Sequence, residues 1–325
     1  MKDLTVAICV YNAEKYIEET LECIMAQTVQ DFHLLIVNDC STDNSLAKIK
    51  AFFDLHPRQY EIVDFEENKG IAFARNYALN YATSKYIIFI DSDDCPLPQL
   101  VEKEYDKIST DQELTAVSSW LVFVDTNTNP IKGGLFIGDA TKESFINRAQ
   151  KAKRIFLPIQ TLFNREDAIK VGGFRITGFP EGKPRYQDYC EDLDLWTRLS
   201  DLYKEVKYII TLPEVLYKYR KVDGLSSNHY YMILKMDFVK VNLLRRRSNE
   251  KELTFIEFLD SISERQKRKY LRDASAADSL RNGVFYLKNK NFGKGVFLIL
   301  KSIFTKPTYL FDKIISNSGI IKKKR

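Results

Sequence analysis

The sequence predicts an α/β protein in which a mostly parallel central sheet, flanked by helices, is followed by a mainly helical C-terminal region. In the first third of the chain, β-branched apolar runs alternate with amphipathic helical patterns. These apolar runs are nearly continuous, as in strands that are buried on both faces. From about Leu225, glycine is rare and basic and apolar residues recur at helical spacing. We therefore expect two domains, residues 1–224 and 225–325.

The first third contains four predicted strands and three predicted helices. The strands are Val6–Val10, Phe32–Val37, Tyr60–Phe65 and Lys85–Ile90, and the helices are Ala13–Gln27, Ser45–Phe53 and Ile71–Tyr81. Asn12 is a suitable N-cap for the first of these helices. Repeated strand–helix units predict a parallel sheet with helices on both faces.

The middle of the chain predicts shorter, mixed elements. Strands are expected within Leu114–Asp125, Gln160–Phe163 and Lys207–Leu212, turns in Asn127–Gly134, and helices over Ser144–Lys153, Glu166–Val171 and Asp188–Leu202. Gly178–Arg185 is rich in glycine and proline and predicts a loop.

Composition excludes several classes of protein. The 325 residues carry 49 Lys and Arg against 44 Asp and Glu, a net charge of +5, and 45% of them are apolar. These values exclude a disordered or collagen-like chain, and so small a charge predicts no nucleic-acid partner. Five cysteines without a CxxC pair predict free thiols in a reducing compartment. The opening apolar run Thr5–Val10 is too short for a signal peptide, so we expect a cytoplasmic protein.

Polar clusters follow three of the predicted strands directly. They are Tyr11-Asn12, Asn38–Asp43 and Asp91–Asp94. The carboxyl ends of parallel strands meet at one edge of a sheet, and ligands of such sheets bind there. The sequence therefore predicts a binding site at this edge.

Asp91-Ser92-Asp93-Asp94 places three carboxylates within four residues. Such a cluster fits a hard divalent cation, which takes carboxylate oxygens together with substrate phosphates. The alternative interpretation is a solvated acidic turn that caps the next helix.

Other polar residues allow a functional and a structural interpretation. Asp39 is suited to accept a hydrogen bond from a base or a ribose, or else its segment only caps a helix through Ser41, Thr42 or Asp43. Gly70 permits a turn, and Arg75 is able to reach a phosphate or to lie on the surface. Glu191 and Asp192 gain from the dipole at a helix start, or one of them acts as a general base. The chain lacks GxGxxG and GxxxxGK[ST] motifs, which argues against a dinucleotide site or a P-loop.

In this order and spacing, the motifs resemble glycosyltransferase family 2, the inverting transferases of the GT-A fold. The resemblance spans roughly Leu4 to Arg220. Its parts are Val10-Tyr11-Asn12, Gln27-Thr28, Val37–Asp43, Asn68-Lys69-Gly70, Ala74-Arg75-Asn76, Asp91–Asp94, Gly172-Gly173-Phe174, Glu191–Trp196 and Tyr219-Arg220.

The resemblance implies a role for each matching residue. The nucleotide-sugar site would comprise Val10, Tyr11, Asn12, Asp39, Gly70, Arg75, Asp91 and Ser92. Tyr11 would lie against the uracil ring and Asp39 would accept a hydrogen bond from the base. Asp93 would coordinate Mn²⁺ or Mg²⁺. Asp192 would be the catalytic base, and Glu191 beside it would shape the acceptor pocket.

The implied activity is transfer of a hexose or N-acetylhexosamine from a UDP-sugar to a hydroxyl group of a glycan or lipid-linked saccharide, with a β-linkage as the product. Capsule, lipopolysaccharide and teichoic-type acceptors all remain open. Two positions depart from the family pattern. Many relatives have a His shortly after the Tyr-Arg pair, where this chain offers only Lys221, Asp223 or the more distant His229, and Asn38 stands where an Asp is frequent.

Two other classes compete with this interpretation. A sugar-nucleotide pyrophosphorylase would need a glycine-rich basic loop after the first strand, which the residues from Val10 to Glu14 do not provide. A non-catalytic nucleotide-binding module would leave Asp93 and Asp192 without a purpose.

The last part of the chain mixes apolar and basic residues over Phe292–Ile315, followed by the basic run Lys322–Arg325. This pattern predicts an interfacial amphipathic segment and peripheral contact with an anionic membrane. The alternative is a helical subdomain that packs on the catalytic domain or forms a dimer contact. A membrane span is not expected, because the apolar run Val296–Leu300 is far too short.

Overall fold

A computed structural model describes residues 2–221, 224–288 and 290–308. Its strands are β1 (Leu4–Val10), β2 (His33–Asn38), β3 (Glu61–Asp64), β4 (Tyr86–Asp91), β5 (Cys95–Pro96), β6 (Leu114–Val124), β7 (Pro130–Phe136), β8 (Leu162–Asn164) and β9 (Tyr208–Arg220). Its helices are α1 (Ile17–Met25), α2 (Ser45–Leu55), α3 (Ile71–Tyr81), α4 (Leu100–Ser109), α5 (Lys142–Gln150), α6 (Arg165–Lys170), α7 (Glu191–Leu199), α8 (His229–Arg247), α9 (Phe255–Ser261), α10 (Glu264–Lys288) and α11 (Phe292–Thr305).

The strands form one sheet in the order β3-β2-β1-β4-β8-β6-β9-β5, with β7 paired to β6. The first four strands are parallel, as predicted, and β8 joins them in the antiparallel direction. The register pairs Cys9 with Asp91 and Val10 with Asn38. The polar segments that follow β1, β2 and β4 therefore begin at the same edge of the sheet.

The first helix begins later than predicted. α1 begins at Ile17, and Asn12 is not its N-cap. Instead, the Asn12 side-chain oxygen accepts a hydrogen bond from the Thr42 N–H at 2.8 Å, and the Ala13 N–H donates to Ser45 Oγ at 2.7 Å. Asn12 and Ala13 therefore bind the loop after β2 and the start of α2 instead of capping α1.

Other predicted boundaries also differ from the structure. β9 continues past Leu212 to Arg220, and its pairing with β6 shifts register near the proline at position 213. Residues 127–134, expected to be turns, include the start of β7 at Pro130. The helix predicted over Asp188–Leu202 is α7 with short 3₁₀ turns on either side.

The prediction of five free thiols is wrong. Cys23 on α1 and Cys95 on β5 form a disulfide, with their Cα atoms 5.6 Å apart across 72 residues of sequence. Packing of α1 against β5 brings the two together, which their spacing does not reveal. Cys9, Cys40 and Cys190 are free.

The described chain separates into two compact units. The first comprises residues 2–177, 190–221 and 242–251, and the second comprises 178–189, 224–241 and 252–308 without residue 289. The two units interleave in sequence, so the predicted single boundary at 224 stays a prediction. The whole sheet lies in the first unit, where its core includes Phe89, Phe163 and Trp196. Among the described helices, none combines the length and the apolar character that crossing a bilayer requires.

Candidate functional site

Asp39 anchors the loop that leads into α3. Its buried carboxylate accepts hydrogen bonds from Lys69 N at 2.7 Å, Gly70 N at 2.9 Å and Asn68 Nδ2 at 2.8 Å. Gly70 has φ 92°, a conformation that favours glycine. The predicted bond of Asp39 to a base stays a prediction, and the loop already uses at least three of the roughly four acceptor positions of the carboxylate.

Arg75 on α3 is buried, so its interpretation as a surface arginine is wrong. Its guanidinium donates to Asp91 Oδ1 at 2.6 Å and to the carboxylate of Glu191. Burial alone would lower the pKa of Arg75, but the two carboxylates outweigh burial and raise it. Arg75 thus joins the end of β4 to the start of α7, and its predicted contact with a phosphate stays a prediction.

The acidic turn, Asp91–Asp94, brings carboxylate oxygens of Asp91, Asp93 and Asp94 within 4.8 Å of one another. Burial, followed by the charge of Asp91, raises the pKa of Asp93 to about 6 and the pKa of Asp94 well above its usual value. Three adjacent oxygen donors fit a hard divalent cation. The turn does not cap α4, whose N-cap residue is Gln99, so that alternative is wrong.

Arg220, the last residue of β9, holds the acidic turn in place. Its backbone N–H donates to Asp94 Oδ1 at 2.7 Å, and its Nε donates to the Asp93 carbonyl at 2.7 Å. Its Nη2 reaches Glu19 Oε2 on α1 at 2.6 Å. The sequence singled out Tyr219-Arg220 as a matching pair but gave Arg220 no role.

A second contact from α1 fixes the same turn. The Thr20 hydroxyl lies 3.1 Å from the Ser92 carbonyl and 2.8 Å from the Asp94 carbonyl. Ser92 therefore contributes its backbone to the shape of the turn. The side chain of Ser92 is half-buried, and its predicted contact with the donor stays a prediction.

Asp192 differs from its acidic neighbours on α7. Glu191 is bound by Arg75, and Asp194 is bound by Arg198 at 2.8 Å. Within the described ranges Asp192 takes part in no ion pair, and its Oδ1 accepts only the adjacent Leu193 N–H at 2.6 Å. Burial raises the pKa of Asp192, while Arg75 opposes that rise. Of the three acidic residues at the start of α7, Glu191, Asp192 and Asp194, Asp192 is therefore the one without a direct cationic partner among the described residues.

The residues predicted to form the base pocket are unequally exposed. Tyr11, directly after β1, is 49% exposed, whereas Val10 is buried. The Val10 carbonyl accepts the Asp39 N–H at 2.8 Å. The Tyr11 ring is thus exposed enough to stack on a ligand. Val10 instead binds Asp39 through its backbone, and the Asn12 side chain is hydrogen-bonded to the loop after β2.

Asn38 has a structural reason to be an amide. Its Nδ2 donates to Asp64 Oδ1 at 2.7 Å. An Asp at position 38 would place its carboxylate against the carboxylate of Asp64. The Asn38 amide, which departs from the family pattern, instead donates a hydrogen bond to Asp64.

The candidates for the missing His have partners of their own. Lys221 lies over the rings of Phe123 and Tyr219, 4.4 and 4.9 Å from their centroids. His229 Nδ1 is 2.6 Å from Asp278 Oδ1 within the second unit. Asp223 lies outside the described residues.

The first unit matches a known family. Residues 5–175, just over half of the chain, match the family model described as "Glycosyl transferase family 2". The chain belongs to glycosyltransferase family 2. The resemblance first noted from the motifs is thereby confirmed, and the enzyme is a glycosyltransferase rather than a pyrophosphorylase or a non-catalytic module.

This glycosyltransferase is 28% identical over 218 residues to an uncharacterized glycosyltransferase of Methanocaldococcus jannaschii, covering 67% of this chain and 70% of that protein. It is 43% identical over 94 residues to a teichoic acid poly(glycerol phosphate) polymerase of Staphylococcus epidermidis, covering 29% of this chain and 13% of that protein. Its structure resembles S. aureus TarS 1–349, solved in complex with UDP-GlcNAc, with a TM-score of 0.53 and 20% identity over 92% of this chain and 90% of that one. The GT-A fold is confirmed.

Proposed function

We propose that this enzyme transfers a hexose or N-acetylhexosamine from a UDP-sugar to a hydroxyl group of a glycan or lipid-linked saccharide, with inversion at the anomeric carbon. The observation that carries the proposal is the bridge of Arg75, which joins the acidic turn to the start of α7. One buried arginine thereby sets a candidate diphosphate-binding turn beside a candidate base.

The proposed reaction is a single displacement. The acceptor oxygen forms a bond to the anomeric carbon while the bond from that carbon to the diphosphate breaks. The hydroxyl proton passes to the carboxylate of Asp192, and the diphosphate leaves with the bonding electrons. Because attack comes from the side opposite the leaving group, an α-linked donor gives a β-glycoside.

Asp192 is suited to the role of base. Its carboxylate has no direct cationic partner among the described residues, and burial raises its pKa. A carboxylate with a raised pKa accepts a proton more readily, provided that it is ionised at the working pH. Glu191, in contrast, is neutralised by Arg75, which suits a residue that shapes a pocket rather than one that accepts a proton.

Asp93, with Asp91 and Asp94 beside it, would hold a Mn²⁺ or Mg²⁺ ion. When bound, such an ion stabilises the negative charge that develops on a departing diphosphate. Arg220 and Thr20 hold the backbone of the turn, so the carboxylates are already gathered. This arrangement limits the reorganisation that binding requires.

The donor base would stack on Tyr11, whose ring is half-exposed at the end of β1. Asp39 and Gly70 would line the base-binding part of the site, since the backbone N–H groups of Lys69 and Gly70 in the loop after β3 donate to the Asp39 carboxylate. UDP is proposed as the nucleotide because the structurally similar TarS is solved with UDP-GlcNAc. The teichoic acid polymerase relative supports a cell-wall polysaccharide as the acceptor.

Substitution Asp192→Asn tests the proposal. The purified enzyme is titrated with a panel of UDP-sugars in the presence of Mn²⁺, and transfer is followed as UDP release with candidate saccharide acceptors. We expect the variant to bind the same donor within about twofold and to lose transfer by about 10²–10⁴-fold, the range for loss of a general base.

Asp54→Asn is the matched control, because Asp54 is an exposed carboxylate near the end of α2. This control should keep wild-type transfer. Unchanged transfer in Asp192→Asn would remove Asp192 from the mechanism. A folded wild type that binds no UDP-, GDP- or dTDP-sugar would contradict the donor assignment itself.

A further inference from the structure

Helix α11 packs on α10 through its smallest residues. A Cβ atom added to Gly295 would stand 2.7 Å from the Leu287 side chain, and the Ser302 hydroxyl donates to the Ala276 carbonyl at 2.7 Å. Gly295 and Ser302 are buried. The face of α11 that the protein covers therefore includes small residues, which let the two helices approach closely, together with Ile299, which packs against Gly283 of α10.

The opposite face of α11 carries large apolar side chains that remain exposed. Their exposed fractions range from 47% to 83%, and they are Phe292, Val296, Phe297, Leu300 and Phe304. At 3.6 residues per turn these positions fall within a sector of about 140°. A helix adapted to water buries its large apolar residues and exposes its small or polar ones, whereas α11 leaves these five large apolar side chains exposed.

Basic residues border this apolar face, and acidic residues are absent from the surrounding sequence. Lys294 and Lys301 follow the apolar sector around the helix, and both are exposed. No Asp or Glu occurs between Asp278 and Asp312, whereas that stretch contains six basic residues, Arg281, Lys288, Lys290, Lys294, Lys301 and Lys306. Lys306 pairs with Asp273, and Lys294 lies 4.1 Å from the centroid of the Tyr286 ring.

We propose that the exposed face of α11 binds the surface of a membrane that contains anionic lipids. The phenylalanines enter the boundary between headgroups and acyl chains, and the flanking lysines contact the headgroups. The 14 residues of α11 extend over about 21 Å, less than the roughly 30 Å of a hydrocarbon core, so the helix lies along the surface. This inference is independent of the proposed transfer reaction.

A second copy of the chain is the less favoured occupant of this face. In a two-fold dimer the same patch lies on both sides of the contact. Lysines bordering one face would then approach lysines bordering the other, with no acidic residue of this segment to compensate them. An anionic surface complements the same charges.

Vesicle binding by the full chain tests the inference. The wild type is co-sedimented with vesicles of phosphatidylcholine alone and with vesicles that contain phosphatidylglycerol. We expect binding to the anionic vesicles that weakens with salt. The double variant Phe297→Ser/Phe304→Ser should bind at least tenfold less, because both rings are largely exposed in the free protein and are expected to leave water only on binding.

Two further variants sharpen the result. Lys294→Gln/Lys301→Gln should weaken binding to anionic vesicles by about fivefold per lysine. Leu55→Ser is the matched control, since Leu55 is 78% exposed on α2 and lies outside α11, and it should bind like the wild type. The basic run Lys322–Arg325 is retained in every variant, so a loss of binding is attributable to α11.

Circular dichroism verifies that each variant is folded, and light scattering measures its mass. The inference is overturned if the folded phenylalanine variant binds vesicles as well as the wild type. It is equally overturned if the wild type does not bind anionic vesicles. A wild-type dimer that the same substitutions convert to a monomer would then identify a second copy of the chain as the partner of this face.

Discussion

The acidic turn and Glu104 are two sites in the first unit where carboxyl groups are buried, and they differ in what surrounds them. In the turn, Asp94 accepts the Arg220 N–H, and Arg75 pairs with Asp91. Glu104, on α4, is fully buried and accepts the Leu162 N–H at 3.2 Å. Over the described ranges no Lys or Arg forms an ion pair with it. Burial raises the pKa of Glu104 well above its usual value.

The acidic turn concentrates carboxylates beside arginines, whereas Glu104 is a single buried carboxyl group without an arginine or lysine partner among the described residues. Three neighbouring carboxylates repel one another, and arginines on two sides hold them together at an edge that Asp91 and Asp93 leave partly open. Burial in the core favours the protonated, neutral form of Glu104. Burial alone is therefore a weaker indication of a functional carboxylate than clustering beside arginines at a strand end.

The largest expected effect comes from Asp93→Asn. This change removes one oxygen donor of the acidic turn at nearly constant volume, and we expect Mn²⁺-dependent donor binding to weaken by about 100-fold or more, beyond the effect of losing an outer-sphere partner. Titration calorimetry with and without Mn²⁺ measures it. Glu104→Gln makes the same chemical change in the same unit and should leave donor binding intact. Equal losses of donor binding in both variants would show that Asp93 has no specific role in binding the metal ion.

Arg220→Lys should have an intermediate effect. Lysine keeps the positive charge but cannot reach Glu19 and the Asp93 carbonyl at once, as the guanidinium does. We expect a loss of about 2 kcal/mol, seen as a fall of about 4–8 °C in the melting temperature, together with weaker Mn²⁺ binding. Arg148→Lys, which alters a more exposed pair with Asp139, is the control. A variant with wild-type stability and metal affinity would mean that Arg220 does not brace the turn.

The smallest effect on donor binding is expected from Glu104→Gln, which should change stability alone. The folded pKa of Glu104 lies above the unfolded one, so the folded state keeps a proton that the unfolded state loses as the pH rises past about 4.3. Wild-type stability should therefore decline from pH 5 to pH 8 by up to about 1.4 kcal/mol per pH unit from this group, and the glutamine variant should lack that decline.

Urea unfolding at pH 5 and pH 8 measures the Glu104 effect. The free-energy difference between variant and wild type should be more favourable to the variant at pH 8. Glu22→Gln, at an exposed position of α1, should show no such pH dependence. A pH-independent difference for Glu104→Gln would mean that Glu104 is ionised in the fold.

Sequence patterns predicted the elements that depend on local periodicity. α3 has the predicted bounds Ile71–Tyr81, and the first four strands lie within two residues of their predicted ends. The convergence of the polar segments followed from this parallel order, because each segment comes directly after a strand.

Features that depend on distant partners were not predictable in the same way. Arg75 is buried because carboxylates 16 and 116 positions away surround it, and no local pattern encodes that. The role of Arg220 depends on a strand that continues past a proline and polar residues, which the pattern ended at Leu212. Asn12 satisfied the sequence preference for a cap, but contacts with the loop after β2 determined its conformation.

The Cys23–Cys95 disulfide closes a covalent ring in the chain. Asp39, Gly70, Arg75 and all of the acidic turn lie inside this ring, whereas Tyr11 and Asp192 lie outside it. A single break in the backbone between Cys23 and Cys95 would therefore leave the two pieces attached to each other. Most of the proposed donor-binding residues thus belong to one covalently closed segment. Tyr11, proposed to stack on the base, and Asp192, proposed to accept the proton, belong to the segments before and after it.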